Sequence, residues 1–236
     1  IRSGVWKVKI KPQNMYELSE KSGIKYIYPE APEIETKNDD SRALIGANKV
    51  QEPPYNLRGK GFTAAIWDEG SVKLHPDLNY SGKTILGEDN GVDNHSVHVA
   101  GTMLGGGNIS SQYRGVSPDS RLVSYDFGFY PDFNELKRET NESVFEYNAI
   151  VSQNSWGAIP TSNTVGEYRE GSKVYDSIIS GNTSDVSDKI PVVFSAGNSG
   201  PFYNSTVAPG ATSKNAITVG SVDENKEIAH YSSRGP

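Results

Sequence analysis

A chain of 236 residues suits one large domain, or one domain with a small companion. Its hydrophobic share of 35%, charged share of 22%, 24 glycines and 13 prolines describe a loop-rich globular protein and exclude a disordered or membrane-embedded one. A net charge of −6 without a basic cluster argues against nucleic-acid binding, and the absence of cysteine excludes disulfides and thiolate metal sites.

No apolar run approaches the roughly 18–20 residues that a bilayer-spanning helix needs, so no membrane span is expected. The opening "IRSGVWKVKI" has no signal-peptide pattern and reads as the middle of a strand, which predicts a further segment upstream. Over residues 5–11, Trp6, Val8 and Ile10 alternate with Lys7, Lys9 and Lys11, the pattern of a half-buried strand. Residues 14–23 predict a short helix, with Asn14 as N-cap, Met15 and Leu18 on one face and Gly23 as the stop. "IKYIYPE" alternates again up to Pro29, and the polar, acidic residues 31–41 read as a linker. Residues 1–40 thus form a small α+β fragment ahead of a larger part, 41–236.

In the larger part, "SRALIGANKV" suits a short helix. Apolar runs at 62–70, 120–128, 149–157, 190–200 and 216–223 predict buried strands. Residues 133–148, with Leu136, Val144 and Phe145, and residues 166–181, with Val174, Tyr175 and Ile178, predict helices. Buried strands alternating with helices specify an α/β fold, a doubly wound, mostly parallel sheet with helices on both faces. "MLGGGN" reads as a glycine-rich turn. Functional groups in such sheets collect at the carboxyl ends of strands, where Asp68, Asn154 and Asn198 fall.

The stretch "NHSVHVAGT" holds His95 and His98, two of the four histidines. One helical turn apart, they suit a metal pair, an acid/base group or packed helix residues; the usual zinc helix instead spaces its histidines four apart around a glutamate. Three features favour acid/base chemistry. Asp68, at the tip of "AAIWD", is placed to accept from an imidazole. Ala100 and Gly101 are small enough for close helix packing. Asn198, after "VVFSAG", offers an amide to a developing oxyanion. His75 belongs to a turn, Trp6 and Trp67 read as core residues, and His98 reads as helix scaffolding.

These boxes, in this order, resemble the subtilisin-like serine proteases. "HSVHVAGT" is similar to H-G-T-H-V-A-G-T, "WDEG" to D-S/T-G, "SAGN" to A-A-G-N and "NSWG" to the S-x-G strand that pairs with substrate. "HPDL", "GVSPDSRL", "VAPGATSKNAITVGSVD" and "SSRGP" also match in order, so the resemblance covers about residues 45–236. It implies a subtilisin-like fold and a secreted serine endopeptidase acting on peptides or proteins. His95 is then the base, Asp68 the acid that orients it, and Asn198 the oxyanion donor. Ser155, Trp156 and Gly157 on one wall, and Ser195, Ala196 and Gly197 on the other, form the pocket for the residue before the scissile bond, with Trp156 narrowing or extending it. The first forty residues resemble the end of a subtilase propeptide, which implies a zymogen with a maturation cut within residues 30–45. The chemistry needs no cofactor. Structural calcium is common in the family, and "GEDNGVDN", with Asp89 and Asp93, and Asp77 before it, carry suitable oxygens, but the loop equally suits solvent and no metal site is assigned.

Three departures stand out. Glu69 replaces the Ser or Thr after the acid and is expected to point away from it or to meet a cation. Ser96 and Val97 replace Gly and Thr between the histidines. The family's nucleophile, in G-T-S-M-A, does not occur in the 236 residues. The chain alone is therefore expected to be inactive, with the serine supplied by the remaining carboxyl-terminal part of the same protease. The alternatives are a catalytically inactive subtilase-like pseudoprotease that binds or regulates, and a metal hydrolase using His95 and His98.

Overall fold

A computed structural model describes residues 8–24, 38–72, 75–78, 82–127, 132–157, 166–181, 189–200 and 205–235. The chain divides into two compact units, Ile1–Lys37 and Asn38–Pro236.

In the first unit a 3₁₀ turn, Pro12–Asn14, runs into the short helix α1, Met15–Ser19. Asn14 is itself in helical conformation and makes no side-chain cap, because the helix is entered from this turn rather than from an extended residue. Of the strand expected over 5–11, residues 8–11 are not in a strand, and 5–7, with Trp6, lie outside the described residues. So does the strand expected over 24–30, beyond Ile24.

The second unit opens with α2, Asn38–Leu44, and α3, Ala47–Gln51. Helix therefore starts inside the expected linker, and the one short helix expected near residue 45 is two. Six parallel strands follow: β1 Thr63–Asp68, β2 Thr84–Leu86, β3 Arg121–Asp126, β4 Ala149–Asn154, β5 Val192–Ser195 and β6 Ile217–Val219. They lie in the order β2-β3-β1-β4-β5-β6. The chain adds β2 and β3 on one side of β1, then crosses to build β4, β5 and β6 on the other. The carboxyl end of β1 is thus the place where the winding reverses, the usual position of a site in an open α/β sheet.

Helices cover both faces. Alternate residues of β1 point to opposite sides, as a period of two dictates. Ala64 and Ile66, with Leu122 of β3, pack against Val99, Ala100 and Leu104 of α4, Asn94–Leu104. Ala65 and Trp67, with Val123 and Tyr125, meet Leu136 of α5, Phe133–Phe145, and Tyr175 and Ile178 of α6, Glu170–Ser180. Trp67 is 1% exposed and stacks on Tyr125 with ring centroids 5.1 Å apart. Burying a large side chain this fully contributes roughly 1.5–3 kcal/mol.

Phe145, expected on the apolar face of α5, is exposed. Nine residues at about 100° each place it roughly 180° from Leu136. The buried face of α5 is Leu136, Glu139, Thr140 and Ser143, largely polar and so hidden from a hydrophobic pattern.

Candidate active site

β1 delivers Asp68 at its carboxyl end, in register with Asp126 of β3, and Asp68 is 1% exposed. Its Oδ1 accepts the backbone N–H of Glu69 at 2.8 Å and meets His95 Nδ1 at 2.7 Å. Its Oδ2 is buried and has no hydrogen-bond partner among the described residues. Glu69 is exposed, whereas the Asp68 carboxylate beside it is buried.

His95 is placed by a helix cap. Asp93 is the extended residue before α4, and its Oδ1 accepts the backbone N–H of His95 at 2.6 Å. This sets His95 in the first turn of α4 with its side chain 49% exposed, one nitrogen on Asp68 and the ring open to solvent. The departures between the histidines are accommodated: Ser96 is fully buried, its hydroxyl without a partner among the described residues, and Val97 packs on the core. Ala100 is fully buried, whereas Gly101 has no described atom within 4 Å of where a Cβ would stand, so close packing does not demand that glycine. His98 is exposed and is not a core residue. His75 sits in a turn, where its Nδ1 accepts the Asp77 amide at 3.2 Å.

The two expected pocket walls leave the sheet side by side, because β4 and β5 are neighbours with Asn154 opposite Phe194. Asn154 is spent internally: its Nδ2 donates to Ser152 Oγ at 3.0 Å, and its Oδ1 accepts Trp156 Nε1–H at 3.2 Å. Ser155 and Trp156 are half-buried and Gly157 is exposed. The Trp156 ring packs 4.6 Å from Phe127 and 5.6 Å from Phe194.

On the other wall, Ser195 is half-buried and the Ala196 amide donates to Val219 O at 2.9 Å. Gly197 adopts φ +104°, which favours glycine, and a Cβ there would stand 2.9 Å from Ser233 Oγ. Ser233 clamps the turn: its N–H donates to Gly197 O at 2.9 Å, and its Oγ accepts the Ser199 N–H at 3.1 Å. Asn198, between them, is exposed. Ser233 lies in "SSRGP", and its role as a clamp is visible only in the fold.

The acidic residues named for calcium are held apart. Asp77 Oδ1 anchors the amides of Asn108 and Ile109, Asp93 caps α4, and Asp89 is exposed. Among the described residues, the one group of three carboxylates with oxygens within 4.8 Å of one another is Glu88, Glu135 and Glu139. Arg138 Nη2 lies 3.3–3.7 Å from all three and supplies positive charge there. Burial, with a hydrogen bond to Glu88, pushes the Glu139 carboxyl up to about 8, against the lowering effect of the Trp67 indole. Among the described residues no helix is long and apolar enough to cross a membrane.

The sequence profile of the subtilase family matches residues 59–236. The serine protease AprX of Bacillus subtilis (strain 168) is 30% identical over 238 residues, covering 93% of this chain and 52% of that protein. Subtilisin from Bacillus sp. (strain TA39) is 26% identical over 238 residues, covering 86% and 54%. Among solved structures, the prenylagaramide maturation protease PagA shares the fold, with a TM-score of 0.62 at 18% identity over 81% of this chain and 64% of that one. The chain spans about half the length of the curated relatives it matches. The family match takes in all six strands and the Asp68–His95 pair, and the chain belongs to the subtilase family.

Proposed function

We propose that the protein to which this chain contributes is a secreted serine endopeptidase in which Asp68 and His95 activate a serine lying outside residues 1–236. The contact that carries this reading is His95 Nδ1 to Asp68 Oδ1 at 2.7 Å, at the switch point of a parallel sheet. With Nδ1–H donated to the buried carboxylate, Nε2 keeps its lone pair. The half-exposed ring then takes the proton of a serine hydroxyl as that oxygen attacks the scissile carbonyl. It returns the proton to the leaving amine, and Asp68 stabilises the imidazolium between the two steps.

Asn198 is the proposed donor to the oxyanion, and the turn clamped by Ser233 holds it. Ser155–Gly157 and Ser195–Gly197 are the proposed walls for the residue before the scissile bond. Trp156 narrows or extends the space between them. Residues 1–40 are read as the end of a propeptide. The remaining carboxyl-terminal part of the protease is the partner that supplies the serine. The proposed chemistry needs no cofactor, and any bound calcium would be structural.

Labelling of the full-length protein with a serine-directed phosphonate tests this. A single modified serine, outside residues 1–236 and lost in His95→Ala, is the expected result. No labelling, with the fold intact, would instead favour a binding or regulatory subtilase-like protein.

A further inference from the structure

Glu139 lies on the buried face of α5 with 2% of its surface exposed. Its Oε2 accepts the Nε1–H of Trp67 at 2.8 Å, and Trp67 immediately precedes Asp68 on β1. On its other side stands Glu88, which opens the segment leading to α4. That segment is stitched to the residues just beyond Asp68. Ser71 Oγ donates to Glu88 O at 2.8 Å, Ser71 N–H to Gly91 O at 2.7 Å, and Asp93 N–H to Ser71 O at 3.4 Å. The Glu88 carboxylate in turn accepts the Asp126 amide at 3.4 Å. One buried carboxyl thus touches both routes to the site, the strand that carries Asp68 and the segment that ends in the cap of His95.

We propose that Glu139 is a positioning residue for the Asp68–His95 pair, holding the indole beside Asp68 and, through Glu88, the segment that delivers His95. Its meaning for catalysis rests on the protease reading above; the coupling itself stands on the geometry. Charged and titratable groups face Glu139 from every element around it. Glu135 and Arg138 come from α5 and Asp132 from its cap, Glu88 from the segment after β2, Asp126 and Tyr125 from β3, and Tyr175 from α6. Only Arg138 among them is a cation, and its side chain is 59% exposed.

When protonated, Glu139 accepts from Trp67 and bonds to Glu88. When ionised, it faces the carboxylates of Glu88 and Glu135, and the repulsion loosens the segment 88–93. The group is held up to about 8, so the loosening falls in the mildly alkaline range.

The experiment is an NMR titration of the full-length protein, labelled at the indole nitrogens and histidine ring carbons, as wild type and as Glu139→Gln, with peptide hydrolysis followed alongside. Glutamine keeps an acceptor for Trp67 and a donor for Glu88 but does not ionise. In the wild type, the Trp67 indole and the His95 ring should share a step near pH 8, and kcat/KM should fall across the same step. In Glu139→Gln the step should vanish, with kcat/KM at neutral pH within about threefold of wild type and no alkaline fall. The same His95 titration in both proteins overturns the inference. Should Glu139→Gln not fold, Glu88→Gln removes the other half of the pair and must abolish the shared step. A shared step without peptide hydrolysis leaves the coupling standing and sinks the protease reading. Normal hydrolysis without a shared step does the reverse.

Discussion

Gly70 and Asp93 lie so close that a methyl group on Gly70 would stand 2.9 Å from the Asp93 Cβ and 2.9 Å from the Gly91 carbonyl oxygen. The glycine two residues after Asp68 is therefore needed for space: it lets the segment carrying the His95 cap lie against the end of β1. Gly70→Ala must push that segment away, because backbone blocks the alternative. The expected cost is about 1–3 kcal/mol of stability and, from misplacing His95, roughly 10² in kcat/KM. Denaturant unfolding and steady-state kinetics of the full-length protein measure both. Unchanged kinetics would mean that the segment does not place His95.

Lys83 is 5% exposed, and its Nζ donates to the carbonyls of Leu104, at the end of α4, and of Pro118. Burial lowers its amine from the ordinary 10.5 to about 8, against the raising effect of Asp119 and Asp77. Between those values the unfolded chain binds more protons than the folded one, so stability rises with pH. This contribution is complete above about 10.5 and is lost as pH falls through about 8. It amounts to on the order of 3 kcal/mol. Unfolding midpoints of wild type and Lys83→Met, compared across that window, should diverge as pH rises. Parallel curves would refute the burial argument.

Ser96 carries a fully buried hydroxyl with no hydrogen-bond partner among the described residues. Replacing it by alanine removes a desolvated polar atom and nothing that is bonded. Ser96→Ala is expected to leave the fold intact and raise its stability by up to about 1 kcal/mol. A loss of more than about 1 kcal/mol in chemical denaturation would reveal a bond that this geometry lacks.

Asn198→Ala tests the oxyanion assignment. Its kcat should drop by about 10²–10³ with KM little changed, the magnitude that removing one such donor costs in subtilisin itself. A drop of less than about threefold would move the role elsewhere.

Part of this architecture was legible in the residues. β1 and β3 are continuous buried runs, and their apolar stretches mark them plainly. The reading over 149–157 and 190–200 ran past the strand ends, because "SWG" and "SAG" keep the apolar or small character of a strand while leaving the sheet. β2 is three residues long, too short for any period to show. Asp68 and His95 were identified by the boxes around them, but the contact between residues 27 positions apart comes from the sheet. Glu139 was invisible, because a glutamate in an acidic helix reads as solvated and its partner Trp67 lies 72 positions away. His98 reads in the sequence as helix scaffolding, and it stands on the exposed side of α4.

The most direct test of the central claim compares His95→Ala with His98→Ala in the full-length protein, each checked for an intact fold. His95→Ala is expected to lose at least about 10⁴ in kcat for peptide hydrolysis, a scale taken from triad removal in subtilisin itself. The exposed His98, one turn on, should stay within about twofold of wild type in both kcat and stability. Equal losses from the two substitutions, with both folds preserved, would contradict the pairing of His95 with Asp68 as the catalytic base and its acid.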